Sequence, residues 1–415
     1  NAGNSITSGG NFNTVVGDEA GTAITTGDNN TFFGYASGDA LDTAANNTAI
    51  GHNALSADTK GSHSVAIGKG TLANQNFTSA TDAYNVAVGS SAGNDITTGI
   101  QNTLIGGLAG DAITDADNNV ALGYSAMTVN VLGSESVAIG TFALNSQNPA
   151  SATNMYNVAV GHNSGAAVTT GIRNTYIGAL AGDGSDDGSD NTAVGKSALS
   201  VNHGNDNTAI GESALAIATG TSNTAIGKDS GSSITSGNKN TILGKYSGNA
   251  NNLDIRTASN NIVLSDGDGV PRMAVSGNGA FRYNSDAAGA TRAVLVGQKE
   301  AISDSTATNF AKIVGPSNAI HAFLRLTMNI FDPGTNVGTV EKTFRIFYNG
   351  STTLLNEMTS SVGNIANPTI GISASGTDFT LSIDCNTQAS QYKISYELDV
   401  LMDTANLGQV DIVEL

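Results

Sequence analysis

Five histidines, one cysteine and one dense acidic run are the residues of this 415-residue chain whose types chemistry most often uses. The histidines are His52, His63, His162, His203 and His321. His52 and His162 each follow a glycine in the turn-like triplet Gly-His-Asn, and no carboxylate or cysteine stands at a matching spacing. No His-x-His pair exists to hold a metal on a symmetry axis. The run Asp183-Gly184-Ser185-Asp186-Asp187-Gly188-Ser189-Asp190 could supply the several oxygens that calcium takes from one loop. It lacks the Gly-Gly-x-Gly-x-Asp nonapeptide of calcium-binding repeats, however, and reads as a solvated turn. Cys385 is in phase with Phe379, Leu381 and Ile383, so it reads as a small buried residue and not as a nucleophile. The glycine-rich loops do not lead from a strand into a helix, as phosphate-binding loops do. Acids from distant parts of the chain could meet as glycoside hydrolysis requires, but there is no Trp to form a sugar platform. The expectation is no catalytic residue, no cofactor and no metal: a chain that is not an enzyme.

The elements that would position any site are organised by a repeat. Asn47-Thr48-Ala49-Ile50-Gly51 returns, lightly varied, from Asn13–Gly17 to Asn240–Gly244, for example as Asn102–Gly106 (with Ile105) and Asn174–Gly178 (with Ile177). Its closing glycines fall 17, 17, 17 and 21 residues apart, then 17, 17, 17 and 21 again, then 17, 17, 16, 16 and 17. A fifteenth, degenerate copy ends at Ser265. A fixed short period over so long a stretch specifies a solenoid, here a parallel β-solenoid.

Within the repeat, the residue one before the glycine is always large and apolar, and the residue three before it is Thr, Val or Ile. These two share one face of a short strand, and that face is expected to line the core. Minus four is Asn in thirteen of fifteen copies, Ser64 and Ser136 being the exceptions, which suggests a hydrogen-bonded ladder along the stack. Minus two is Ala in nine of the fifteen, as close approach by another backbone would require. Three residues after each glycine comes only Ala, Ser or Thr. One place further on, two glycine coils alternate with two coils carrying Leu or Met, a longer rhythm that the sequence does not explain. Ala23–Gly27 and its counterparts read as a second short strand ending in a glycine turn.

Residues 1–249 are assigned to the solenoid, 250–290 to a cap or neck, and 291–415 to a C-terminal antiparallel β-sandwich or jelly-roll-like domain. In this last part strict alternation appears, as in Ala322, Leu324, Leu326, Met328 and Ile330. The 21-residue coils each insert a polar loop, Asn74-Gln75-Asn76-Phe77 and Ser146-Gln147-Asn148-Pro149, and end in Tyr84-Asn85 and Tyr156-Asn157. Loops on a rigid scaffold are where binding usually lives. Candidate receptor contacts in the C-terminal part are Asp332, Thr335, Asn336, Asn349, Ser351, Asn386, Gln388 and Gln391, all in expected strand connections. Asn1–Gly9 lines up with Ser91–Gly99, so the chain is expected to begin inside a coil and to be a fragment of a longer protein.

The net charge of −18 repels nucleic acid, and there is no stripe of basic and aromatic residues to offset it. No apolar run is long enough to span a membrane as a helix.

The motif Asn-[Thr/Ser]-[Ala/Val]-Ile-Gly, followed by a small residue, resembles the YadA-like head of trimeric autotransporter adhesins. It is similar also to repeats of bacteriophage tail fibres. The resemblance covers about residues 1–249 and implies a left-handed parallel β-roll in which three chains pack around a threefold axis. It implies a homotrimer that meets a host cell-surface glycan or outer-membrane receptor, and other tail or fibre proteins through its amino end. Two departures stand out. Coils of 17 residues look longer than is typical of the family, and a β-domain stands where a heptad stalk and membrane anchor would follow. The function expected is therefore a phage tail fibre, part of the virion tail, with a receptor-binding tip. The alternative is a bacterial cell-surface adhesin that binds through the β-roll, and a third possibility is a tailspike-like polysaccharide depolymerase.

Overall fold

The computed structural model describes side chains through residue 281, apart from 8, 251–252 and 280, and at residues 380 and 382; elsewhere beyond 281 it describes the backbone of the strands. The described residues contain no helix. The chain divides into two compact units, Asn1–Ser236 and Gly237–Leu415.

The first unit is a parallel β-solenoid. Thirteen three-residue strands, from Thr14–Val16 to Thr224–Ile226, each sit on the motif and pair in parallel with the next. Their register is strict: Thr48 lies opposite Thr31 and Val65, Ala49 opposite Phe32 and Ala66, Ile50 opposite Phe33 and Ile67. Strands this short hold because each coil gives the next the same hydrogen bonds, such as Thr48 N–H to Ser64 C=O at 2.9 Å and Gly51 N–H to Phe33 C=O at 2.9 Å. The motif glycine is required by the stack. Gly51 has φ +138°, and a Cβ there would collide with the backbone carbonyl of Gly68 in the next coil.

The inward face is the reverse of the one expected. Minus two is buried in every copy after the first: Phe32, Ala49, Ala66, Leu104 and Tyr176 are all at 0% exposure, whereas Ile50, Ile105 and Ile177 are 37–40% exposed. The coil is narrow, so the inward strand position takes Ala wherever another side chain fills the middle, and the large β-branched residues face outwards. The second expected strand is also absent. Ile24 N–H turns back to Gly21 C=O while Ala23 and Thr25 N–H groups bond to Asp39 and Asp42 C=O of the next coil. That arm is a hydrogen-bonded series of turns with Ile24, Ile96 and Val168 buried beneath it.

The alternation of glycine and large residues four places after the motif glycine is a packing exchange. In the first unit all these residues have positive φ, between 46° at Leu144 and 63° at Gly231. In one coil type the core volume comes from that position itself, as with Leu55, Leu72, Met127 and Leu144, over Ala49, Ala66, Ala121 and Ala138. In the other it comes from larger residues at minus two, at plus seven or at both, and the position is glycine. A Cβ on Gly38 would lie 2.7 Å from the Phe32 ring, and one on Gly182 2.5 Å from the Tyr176 ring.

The second unit begins with the same motif, Thr241–Leu243 pairing in parallel with Ile262–Ser265. It then becomes antiparallel: Ile262–Ser265 pairs with Pro271–Val275 across the turn Asp266–Gly269, and that strand with Phe281–Asn284. Asp266 fixes the turn, accepting from the Val270 and Asp268 N–H groups at 2.9 and 3.0 Å and from Arg272. These bonds, with Val270 first, hold its carboxyl below the usual range. Antiparallel pairing continues through Thr291–Ile302, Tyr392–Met402, Ile320–Phe331, Val337–Tyr348 and Thr353–Val362. A separate four-stranded antiparallel sheet has Thr308–Val314 paired with Asp378–Asp384 and Asp411–Glu414, and Asp378–Asp384 also with Thr369–Ser375.

Candidate functional site

The asparagine ladder runs inside the coil. Asn47, Asn102 and Asn174 are at most 1% exposed. Each side chain bridges the stack. The Asn102 Oδ1 accepts the Asn119 N–H at 3.0 Å, its Nδ2 donates to the Ala116 carbonyl at 2.9 Å, and its own N–H donates to Asn85 Oδ1 at 2.9 Å. Asn47 and Asn174 repeat this arrangement with Gly61 and Gly188 carbonyls. The motif thus satisfies backbone groups that the buried interior of the coil would otherwise leave unpaired.

The two serine exceptions are compensated from the inserted loops. Gln75 Nε2 donates to Ser64 Oγ at 3.0 Å, and its Oε1 accepts from Asn85 Nδ2 at 2.8 Å. Gln147 Oε1 likewise accepts from Ser136 Oγ and Asn157 Nδ2. Gln75 and Gln147 are at 0% exposure and Phe77 at 5%. The loops read in the sequence as polar surface therefore turn these residues inwards as plugs, leaving Asn74, Asn76 and Asn148 outside. Gln75 also donates to Asp58 Oδ2 at 2.6 Å, and Asp58 Oδ1 accepts from the Gly61 and Phe77 N–H groups at 3.0 and 3.2 Å. Burial still pushes the Asp58 carboxyl up.

The histidines are dispersed. Tyr35 stacks on His52 with ring centroids 5.2 Å apart, and Phe142 meets His162 edge-on at 6.4 Å, both at the corner just after the motif glycine. His203 is 2% exposed beside the fully buried Tyr176, its Nε2 3.4 Å from the hydroxyl. Burial lowers the His203 pKa and raises that of Tyr176, so both stay neutral. The sequence carries no local signal for this buried pair, because the coil path brings together two residues 27 apart. In the acidic run, Ser185 is buried and Asp190 takes a bidentate bond from Arg173 at 2.6 and 2.8 Å, which lowers its pKa. Among the described residues there is no group of three or more His, Cys, Asp or Glu placed to hold a metal.

The outward motif residues line up. Val16, Phe33, Ile50, Ile105, Leu122, Ile177, Ile210 and Ile226 are each 37–58% exposed, in one column along the first unit. The alanines at minus two, read in the sequence as allowing close approach by another backbone, are inside the coil and offer no surface to a second chain. The receptor-contact candidates Asp332, Thr335, Asn336, Asn349, Ser351, Asn386, Gln388 and Gln391, and Cys385, lie outside the described residues. Among the described residues no helix is long and apolar enough to cross a membrane.

No family model matches the chain, and no curated protein does. Among solved structures it aligns with the tailspike protein gp49 of Acinetobacter baumannii bacteriophage Fri1, a capsular polysaccharide depolymerase. The identity is 10% and the TM-score 0.28, over 94% of this chain and 69% of that one. A second match is the tailspike protein of Acinetobacter baumannii phage AM24, at 11% identity and TM-score 0.24, over 93% and 80%. The first of these corrects the expectation that the chain is not an enzyme, since the protein it aligns with is one. At these values the likeness transfers no residue and no reaction to this chain.

Proposed function

We propose that the chain is a fibre or spike protein of a bacteriophage tail, a homotrimer that attaches to polysaccharide of the host envelope. The observation that carries this reading is the exposed apolar column of the first unit, Val16 to Ile226. A contiguous apolar strip of this kind is an interaction surface. Its side chains recur once per coil, at about the 4.8 Å spacing of paired strands. A partner that matches such a strip over its whole length needs the same period, and another copy of this chain has it. The number three comes from the resemblance to YadA-like heads. Three copies present any weak polysaccharide contact with the gain of multivalency. The receptor contacts are assigned to the connections that hold Asp332, Asn349 and Asn386, at the tip.

The test is the solution mass of the intact chain, with its binding to host cells and to their purified polysaccharide. A mass of three chains is expected, falling to one in Ile105→Asp/Ile177→Asp, whose coil interior is untouched. A single-chain mass for the unaltered protein sinks the assembly. Absence of binding to any envelope preparation sinks the attachment. Shortening of the polysaccharide during incubation identifies depolymerisation as part of the activity.

A further inference from the structure

We infer that the two 21-residue coils carry a duplicated platform for an uncharged polysaccharide, centred on Tyr84 and Tyr156. It rests on the proposed attachment for the identity of its ligand and places a second contact on the solenoid. The two tyrosines are 72 residues apart, each five places before a motif glycine. That position has positive φ in every coil, whether it carries Asn46 at 61°, Asp190 at 61°, Gln101 at 60° or Arg173 at 58°. Asn and Asp adopt this conformation readily, whereas a bulky ring does not. Tyr84 and Tyr156 nevertheless adopt it, at 48° and 54°. Each remains 50% exposed, so burial does not offset the cost. The repeat imposes this backbone, and Phe12 has it too at φ 58°, but an exposed tyrosine at this position in both 21-residue coils points to function.

The insertion also builds the surroundings. Thr81–Asp82 pairs in parallel with Gly61–Ser62, and Thr153–Asn154 with Gly133–Ser134; among the described residues of the first unit, only the 21-residue coils and the coils before them have these short strands. At the first platform His63 stacks on Tyr84 with centroids 4.9 Å apart, its Nδ1 3.1 Å from Asp82 Oδ1 and its Nε2 3.2 Å from Asn46 Nδ2. At the second, Asn154 Nδ2 donates to Glu135 Oε1 at 2.9 Å and to the Tyr156 hydroxyl at 3.2 Å. Each place therefore combines an exposed ring with a fixed carboxylate and a carboxamide. A sugar matches all three: its apolar face stacks on the ring, and its hydroxyls bond to the carboxylate and the carboxamide. The carboxylates, on a chain of net charge −18, select against polyanions. Four coils separate the platforms, about 19 Å at the spacing of paired strands. One extended polymer can span both.

The experiment compares the full chain with Tyr84→Asn/Tyr156→Asn by affinity electrophoresis in gels containing dextran, mannan, galactan or polygalacturonate. Asn suits the backbone here, so the double variant is expected to melt at the same temperature or higher. Expected are retardation of the unaltered chain by at least one of the three neutral polymers and none by polygalacturonate. The double variant should lose about tenfold or more in apparent affinity, as removal of aromatic anchors does. The inference is overturned if no neutral polymer retards the unaltered chain, if polygalacturonate retards it equally, or if both proteins migrate alike. It is overturned too if the double variant melts lower or has a smaller solution mass, since the tyrosines then serve the fold or the contact between copies. Host-cell binding by both proteins separates the two readings. Equal binding ends the platform and leaves the proposed attachment standing, whereas no binding by either ends the attachment.

Discussion

Adjacent coils of the solenoid solve the same packing problem in opposite ways. In the coil ending its motif at Gly34, Phe32 and Leu41 fill the interior and Gly38 gives way to the ring. In the next, closed by Gly51, Ala49 withdraws, Leu55 fills the space and the buried Asp58 stands where Leu41 stood. At this position the backbone is the same in both, since Gly38 and Leu55 have φ of 56° and 55° and each donates to the following coil. What is exchanged is the place of the large side chain, at minus two with glycine at plus four in one coil and at plus four with alanine at minus two in the other. The Tyr176 coil shows the same constraint: with the largest ring at minus two, plus seven shrinks to Ser185. Close-packed interiors enforce this kind of compensation.

Exchanging the two solutions is the sharpest way to break that comparison. Phe32→Ala alone should cost about 3–5 kcal/mol for the lost ring and the cavity. Gly38→Leu alone should destabilise by overpacking against Phe32, about 1–3 kcal/mol. Together they recreate the Ala49/Leu55 arrangement, and a favourable coupling in a double-mutant cycle of denaturation midpoints is the expected result. Simple addition of the two losses would mean that the coils do not share one interior.

The ladder distinguishes the coils less. Asn102→Ala leaves the Asn119 N–H and the Ala116 carbonyl without their side-chain partners, at about 1–3 kcal/mol for each buried group. Gln75→Ala is expected to cost a similar amount, because Gln75 does for Ser64 and Asn85 what an asparagine does elsewhere. Chemical denaturation of the two variants side by side checks the equivalence. A Gln75→Ala protein as stable as its parent would leave the serine exceptions unexplained.

The period, the coil boundaries and the ladder were legible because they depend on residue identity at fixed spacing. The direction of the faces was not. Alternation establishes that Ala49 and Ile50 point opposite ways, and hydrophobicity then argues for Ile50 inside. In a coil this narrow that argument fails, and the better signal was Asn47 on the same face as Ala49. A carboxamide kept in nearly every coil implies enclosed backbone groups to satisfy, so its face is the interior. The Gly38/Leu55 rhythm was visible as a pattern, but its cause is the contact of Gly38 with Phe32, six residues back around a bend. The inward turn of Gln75 and Phe77 was hidden for the opposite reason, since a polar insertion looks like surface until the missing asparagine at Ser64 is connected with it. Tyr84 and Tyr156 could be seen to recur, though not that their backbone has positive φ.

The smallest effect concerns the buried plus-seven carboxyl. Asp58 in the first block corresponds to Asn130 in the second, where Oδ1 accepts from the Gly133 N–H at 2.9 Å and Gln147 Nε2 has no hydrogen-bond partner. Asp58 therefore gains a bond from Gln75 that Asn130 does not receive, but it carries a charge into the interior. Burial raises its pKa, against the lowering effect of the bonds from Gln75, Phe77, Gly61 and Lys60. The folded chain then takes up this proton at a higher pH than the unfolded chain does. Its contribution to stability is greatest below the unfolded value and declines as pH rises through the window up to the raised folded value. Asp58→Asn should remove that slope, so the melting temperatures of parent and variant diverge across the window and run parallel above it. Parallel curves throughout would show that the four donors cancel the cost of burying the charge, making the two blocks equivalent at this position despite the different residue.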